Sequence, residues 1–172
     1  MKLFCAGIGL EHPDITNASR RIKEKEFKNC QANGIDLSEV VIGFDGIVLA
    51  NAKGAPQLKL TLEQIYLATA KKVPDPSKPC QSNWCEPVKN PYQKWSDIDA
   101  SLPAKKIEIL GPPPTSGTRD AFQELAMSGG SKAYPHMSAL KKTDKSMWKN
   151  LTRTVRDDGA WIDAGENDNL MV

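Results

Sequence analysis

One apolar run limits what this chain can fold into more than any other feature: residues 40–50 read Val-Val-Ile-Gly-Phe-Asp-Gly-Ile-Val-Leu-Ala. A nearly continuous run rich in β-branched residues is typical of a strand buried on both faces of a parallel or mixed sheet. Gly43 and Gly46 indicate a bend or bulge where another segment comes close. Because helical patterns flank this strand, the sequence predicts an α/β fold.

Composition narrows the class of protein further. The chain has 172 residues, of which 40% are hydrophobic, 26% charged and 6% aromatic. Lys and Arg number 23 against 21 Asp and Glu, a near balance that argues against a nucleic-acid partner, which needs a dense basic patch. The sequence contains no apolar run of about 18 residues, so no membrane-spanning helix is predicted. The length allows one domain or two small lobes.

The remaining elements follow from local signals. Short alternating runs predict strands at residues 13–19 and 106–110, whereas the Pro-rich residues 73–93 predict a long loop. Four helices are expected from N-cap residues, apolar spacing and glycine stops. They run from Ser19 to Asn33-Gly34, from Thr61 to about Ala70, from Thr115-Asp120 to Gly129-Gly130, and from about Asp144 to Val155.

The turn after strand 106–110 has the residue types of an anion site. Thr115, Ser116 and Thr118 supply hydroxyl donors, and Gly117 lets the backbone approach a ligand. Arg119 adds a fixed charge and a fork of donors suited to tetrahedral oxyanions. A helix that begins here also directs its first N–H groups at the ligand. The alternative is a well-capped helix whose Arg119 faces solvent.

A second polar turn repeats this design. Residues 16–21 read Thr-Asn-Ala-Ser-Arg-Arg and also follow a predicted strand and open a helix. Ser19 and Arg20 are therefore candidate anion contacts. The alternative is a plain N-cap at Ser19 with solvated arginines.

Catalytic patterns are weak. The chain has neither a Walker A loop nor a G-x-S-x-G elbow, so nucleotide hydrolysis and a Ser116 nucleophile are not expected. His136 is the only histidine that could serve as a base downstream, and we expect it at the surface. The acidic pairs Asp97/Asp99 and Asp157/Asp158 are expected at solvated helix ends. The sequence predicts a protein that is not an enzyme and has no cofactor.

The four cysteines leave three interpretations open: Cys5, Cys30, Cys80 and Cys85. The C-x4-C pair Cys80 and Cys85 lies in a Pro-rich loop where a local disulfide is easy to form, and Cys5 with Cys30 would close a second loop. Free buried thiols are the second interpretation. A metal site is the third, although the spacing does not suit zinc and we predict no metal.

Several segments in family order resemble the PstS-like phosphate-binding proteins of bacterial phosphate ABC transporters, which are type II periplasmic binding proteins. The segments are Lys2-Leu-Phe-Cys-Ala-Gly7, Pro13-Asp-Ile-Thr-Asn-Ala-Ser-Arg-Arg-Ile22, Ile42-Gly-Phe-Asp-Gly-Ile-Val-Leu-Ala50, Ser116-Gly-Thr-Arg-Asp-Ala-Phe122, Asp157-Asp-Gly-Ala-Trp-Ile162 and Ala164-Gly-Glu-Asn-Asp-Asn-Leu170.

The resemblance implies two α/β lobes with mixed sheets flanked by helices, which close on one inorganic phosphate. Residues 1–50 would be an incomplete first lobe with the start of a crossing strand, and residues 51–172 an incomplete second lobe. The family's Ser-Gly-Thr motif maps onto residues 116–118. The family's phosphate-binding Arg, four positions before that Ser, is Pro112 here, so Arg119 takes its role. Ser19 and Arg20 stand where many members have a ligand Asp.

The resemblance also implies partners and a location. We expect an ABC transporter permease as partner and a periplasmic location, although the chain starts without a recognisable export signal, which would leave it in the cytoplasm. Family members are longer at both ends, so we expect the fold to be truncated and phosphate binding to be weak or absent in this chain alone. Such a remnant would persist as a self-associating homo-oligomer. A third hypothesis is an enzyme that acts on phosphate esters through Ser116 and Arg119, but the sequence offers no candidate for the general base it would need.

Overall fold

A computed structural model describes residues 1–18, 20–81 and 84–165 of the chain. Helices and small sheets make it a mixed α/β protein, which confirms the predicted fold class. The chain divides into two compact units, Met1–Val48 and Leu49–Val172. Their assignment to two lobes of a binding protein stays a prediction.

The first unit is held together by a disulfide and polar contacts. A 3-10 turn at Phe4–Ala6 lies against helix α1, Glu24–Ala32, through the Cys5–Cys30 disulfide. The side-chain amides of Asn29 and Asn33 donate to the Cys5 carbonyl at 3.2 and 2.7 Å. Among the described residues of this unit, Cys5 and Cys30 are the buried ones. The unit therefore has almost no apolar core.

The start of α1 differs from the prediction. The helix begins at Glu24 with Lys23 as N-cap, because the Glu26 carboxylate accepts the Lys23 backbone N–H at 2.9 Å. Ser19, the predicted N-cap, lies outside the described residues. The predicted stop is confirmed, since Gly34 has a φ of 72°, which glycine adopts at low cost after a helix.

The two strands predicted in the first fifty residues are absent from the part of the chain that the structure describes. Neither residues 13–18 nor residues 40–50 form a strand, and Ile42 and Phe44 are 94% and 99% exposed. A strand needs a partner for its backbone groups. No backbone–backbone hydrogen bond is recorded for described residues 40–50. The β-branched segment therefore lacks the backbone pairing that would make it a strand.

The core of the second unit is built around helix α2, Leu62–Thr69. Its predicted start is confirmed: Thr61 accepts the Gln64 N–H at 3.1 Å and Gln64 bonds back to Thr61 at 2.9 Å. The C-terminal turns of α2 are buried, and they share one apolar cluster with residues from later elements. The cluster contains Ile65, Tyr66, Leu67, Ala70, Val73, Phe122, Met127, Val155 and Trp161.

Two small sheets follow this helix in sequence. Strand β1, Lys72–Pro74, pairs antiparallel with β2, Pro87–Lys89, so the loop predicted at residues 73–93 is in part a hairpin. After helix α3, Trp95–Ile98, strand β3 at Ile109–Gly111 pairs parallel with β4 at Trp161–Asp163. The strand predicted at residues 106–110 therefore begins later, and Lys106 makes only an isolated bridge with Lys94.

A continuous helical stretch follows β3. It consists of α4 at Gly117–Phe122, a π-helical turn at Gln123–Met127, α5 at Ser128–Gly130 and a 3-10 turn at Ser131–Ala133. The α-helical part ends at Gly130, as predicted, and the chain continues into the 3-10 turn. A Cβ on Gly130 would lie 1.9 Å from the Leu62 carbonyl oxygen, so this glycine also allows close packing on α2.

Two further helices complete the unit. They are α6, Pro135–Thr143, and α7, Lys145–Arg153, which confirms the helix predicted after Asp144. The Asp144 carboxylate caps α7 by accepting the Met147 N–H at 2.8 Å. None of the helices in the described part of the chain is long and apolar enough to cross a bilayer.

Candidate functional site

The turn between β3 and α4 carries the hydroxyl residues singled out in the sequence. Three prolines end β3, and Ser116 closes the turn by donating its N–H to the Pro113 carbonyl at 3.0 Å. The Ser116 hydroxyl accepts the Thr118 N–H at 3.2 Å, so it caps α4. Among the described residues no acceptor is recorded for the Ser116 hydroxyl proton, whereas the Thr118 N–H is used within the turn.

Arg119 does not face solvent as the alternative interpretation had it. Its side chain is 14% exposed and folds back towards the residues that precede the turn. Nη1 donates to the Pro112 carbonyl at 3.1 Å and forms an ion pair with Asp163. The guanidinium carbon also lies 5.4 Å from the ring centroid of Trp161. The Arg119 charge is therefore fixed beside the turn by a carbonyl, a carboxylate and an indole ring.

Strand β4 supplies two of these partners. In the parallel register Gly111 lies opposite Asp163, and the Ala164 N–H donates to the Gly111 carbonyl at 2.9 Å. The Trp161 indole N–H donates to Asp163 Oδ1 at 3.0 Å. A Cβ on Gly111 would lie 2.0 Å from Cζ2 of Trp161, so only glycine lets the indole pack over β3. We call Arg119, Trp161 and Asp163 the arginine clamp.

The arginine clamp escaped the sequence analysis except for Arg119. Asp163 lies 44 residues from Arg119, and no local pattern links the two. The sequence held a single signal: Trp161 and Asp163 are two positions apart, so in a strand both side chains lie on the same face. Only the register of β3 with β4 shows that this face meets the turn.

The polar turn of the first unit lines a cavity of about 210 Å³. Thr16 and Arg20 both border it, together with the carboxylates of Asp14 and Glu39. The Arg20 guanidinium binds Glu26 through two hydrogen bonds of 3.0 and 2.8 Å. The cavity therefore has mixed charge, and the Arg20 charge is already compensated. Ser19, the other candidate in this turn, is not among the described residues.

The cysteines form two disulfides, Cys5–Cys30 and Cys80–Cys85. Of the three interpretations left open for the cysteines, the structure therefore agrees with the two disulfides. In the described ranges no three His, Cys, Asp or Glu residues cluster as a metal site would require.

Two expectations about titratable residues are wrong. His136 is only 4% exposed, with its ring 5.3 Å from that of Trp84, and burial lowers the pKa of its imidazole. It is buried because α6 turns it towards the neighbouring aromatic rings rather than to solvent. The expectation that Asp157 and Asp158 are solvated is wrong for Asp158, which pairs with the buried guanidinium of Arg156, whereas the Asp157 side chain is 65% exposed. Neither residue lies among the contacts of the turn at residues 115–119.

Comparison with known proteins gives one family and several partial relatives. The sequence model of the family described as PBP superfamily domain matches residues 1–170. Protein SphX of Synechocystis sp. is 29% identical over 144 residues, which cover 83% of this chain and 37% of SphX. The phosphate-binding protein PstS of Staphylococcus epidermidis is 32% identical over 118 residues, 66% of this chain and 30% of PstS.

A second SphX, from Synechococcus elongatus, is 28% identical over 130 residues, 74% of this chain and 32% of its own length. The chain thus spans about a third of the length of the curated relatives it matches. No solved structure matches it.

Proposed function

We propose that this chain, which belongs to the family described as PBP superfamily domain, binds inorganic phosphate. The observation that carries the proposal is its similarity to proteins named for phosphate binding, over 66% of the chain in the Staphylococcus epidermidis relative. The strand–turn–helix at residues 109–122, with hydroxyls and an arginine at the turn, supports it with suitable chemistry.

The proposed phosphate contacts of the second unit are Thr115, Ser116, Gly117, Thr118 and Arg119. Within the described residues the recorded hydrogen bonds of Arg119 use Nη1, which leaves Nη2 and Nε to donate to an oxyanion. The exposed backbone at Gly117 lets an anion approach the start of α4. In the first unit, Ser19 and Arg20 are proposed contacts of the same kind.

The proposed role of the whole protein is the substrate-binding component of a phosphate ABC importer. It would bind without chemical conversion, with a permease as partner and a location outside the cytoplasmic membrane. The chain spans only about a third of the length of its relatives, so these roles are proposed from the relatives and not from the whole length of such a protein.

One observation favours a second candidate, a self-associating protein without tight phosphate binding. Segment 40–49 is apolar and exposed, with Ile42 and Phe44 almost fully accessible and Val48 at 80%. An unpaired β-branched segment of this kind can pair with another chain through its backbone. This candidate predicts association that rises with protein concentration.

Calorimetric titration of the purified chain with phosphate, and with sulfate for comparison, tests the proposal. Micromolar or tighter binding that Arg119→Ala abolishes would support it. Arg153→Ala is the matched control, because Arg153 also lies over an indole ring, at 5.1 Å from Trp148, and pairs with an acid, Glu124. Absence of heat from folded protein would contradict phosphate binding, and concentration-dependent light scattering would then favour the second candidate.

A further inference from the structure

We infer that Asp163 competes with a bound anion for Arg119 and so sets the anion affinity of the turn at residues 115–119. The inference rests on the proposed function, since it concerns the same anion site. It assigns to β4 a residue that the sequence pattern of the turn does not contain.

The geometry gives Asp163 its position. Parallel pairing places it beside Gly111, at the point where β3 leaves the sheet and the turn begins. The Trp161 indole N–H holds one carboxylate oxygen at 3.0 Å, and the same oxygen pairs with Nη1 of Arg119. These two contacts therefore hold the Asp163 carboxylate in place beside the Arg119 guanidinium.

The electrostatics follow from exposure. The Arg119 side chain is 14% exposed, whereas Asp163 is 48% exposed, so the solvent-facing side of the pair is negative. An oxyanion that approaches Arg119 meets a carboxylate already bound to it. Two anions near one guanidinium repel each other, and each weakens the other's charge-assisted hydrogen bonds. Asp163 thus lowers the affinity for any anion, most strongly for a dianion such as monohydrogen phosphate.

An isosteric variant separates charge from structure. Asp163→Asn keeps an oxygen acceptor for the Trp161 indole N–H and for Arg119 but removes the negative charge. We expect it to bind phosphate about fivefold more tightly than the parent chain, the scale of a partly exposed charge pair. Glu124→Gln removes the same charge from the Arg153–Glu124 pair, which lies outside the turn at residues 115–119, and should bind phosphate as the parent does. The gain should shrink as salt is raised from about 0.01 to 0.5 M, because salt screens a charge effect.

The test is a phosphate titration of the three proteins at both salt concentrations, with the Trp161 indole N–H resonance followed by NMR. Tighter, salt-sensitive binding by Asp163→Asn and a shift of that resonance on phosphate addition would support the inference. Equal or weaker binding by Asp163→Asn, while the parent binds phosphate, would overturn the inference and leave the proposed function intact. If Asp163→Asn alone binds phosphate, the inference holds and the function fails for the parent chain. Absence of binding in all three folded proteins overturns both.

Discussion

Arg156 binds Asp158 through two hydrogen bonds, from Nε to Oδ1 at 2.8 Å and from Nη2 to Oδ2 at 2.6 Å. The same guanidinium, 1% exposed, donates to the carbonyls of Ala68 at 3.1 Å and Tyr92 at 2.9 Å. One arginine therefore connects the end of α2, the segment before α3 and the segment before β4. Only the planar fork of an arginine can satisfy these acceptors together.

Arg156→Lys is expected to destabilise the second unit strongly. A lysine retains the charge but cannot reach both carboxylate oxygens and both carbonyls, which leaves buried acceptors without donors. We expect a loss of about 3 kcal/mol in the free energy of unfolding, measured by urea denaturation with circular dichroism. Lys106→Ala is the control, since Lys106 pairs with Glu108 at the surface and should cost less than about 1 kcal/mol. Equal effects of the two variants would contradict the structural role of Arg156.

Two adjacent glycines should differ in how much an alanine destabilises the protein. Gly130→Ala places a Cβ against the Leu62 backbone, a contact that only movement of α2 relieves, so we expect a loss of at least about 2 kcal/mol. Gly129→Ala meets only the Leu62 Cδ1 atom at 3.3 Å, and alanine is the better helix former. Its stability should change by less than about 1 kcal/mol in the same denaturation assay. A mild Gly130→Ala variant would show that α2 and α5 are not packed this closely.

The stability of α1 is expected to fall in acid. The side-chain hydrogen bonds from Arg20, followed by the Lys23 backbone N–H, lower the pKa of Glu26 from 4.5 to about 2. A carboxylate with a depressed folded-state pKa stabilises the fold above pH 4.5, and that contribution is lost as the pH falls towards 2. NMR titration of the Glu26 carboxyl carbon should give the low pKa.

The matched variant for this prediction is Glu26→Gln, which keeps the cap acceptor but does not titrate. Hydrogen exchange of α1 should then show no acid-dependent loss between those pH values. If the parent and the variant respond alike to acid, the Arg20–Glu26 pair does not stabilise α1 in solution.

The two disulfides should differ in importance. Cys5–Cys30 spans 25 residues and Cys80–Cys85 spans 5, which corresponds to about 3.5 and about 2 kcal/mol in the chain-entropy model. The first unit also lacks an apolar core to replace its disulfide. Replacing Cys5 and Cys30 by alanine should therefore abolish hydrogen-exchange protection of residues 1–48. The Cys80/Cys85 double variant should leave those residues protected, and equal protection in both variants would contradict the prediction.

Local signals explain what the sequence could predict. Thr61 and Asp144 each satisfy a backbone N–H of the helix that follows, and both helix starts are confirmed. Gly34 ends α1 for an equally local reason. Such features depend on neighbours within four residues, so they can be recognised without knowledge of the rest of the fold.

Features that depend on distant residues were missed or misassigned. The β-branched residues 40–50 have strand propensity, but propensity forms no strand without a pairing partner. The close packing of Gly130 against Leu62 was missed because the two residues are far apart in the sequence. Asp163 meets Arg119 only through the register of β3 with β4. The phosphate contacts proposed for the turn at residues 115–119 and for Ser19 and Arg20 stay predictions.

The parallel pairing of β3 with β4 has a consequence for the order of folding. Parallel strands cannot be joined by a tight turn, so α4 to α7 must all be traversed before Trp161 reaches Ile109. Such distant contacts form slowly, because the entropy of closing the intervening chain is lost before the contact stabilises it. During synthesis the turn at residues 115–119 emerges well before β4. Arg119 is therefore synthesised before Asp163, and it gains this carboxylate partner only when β4 pairs with β3.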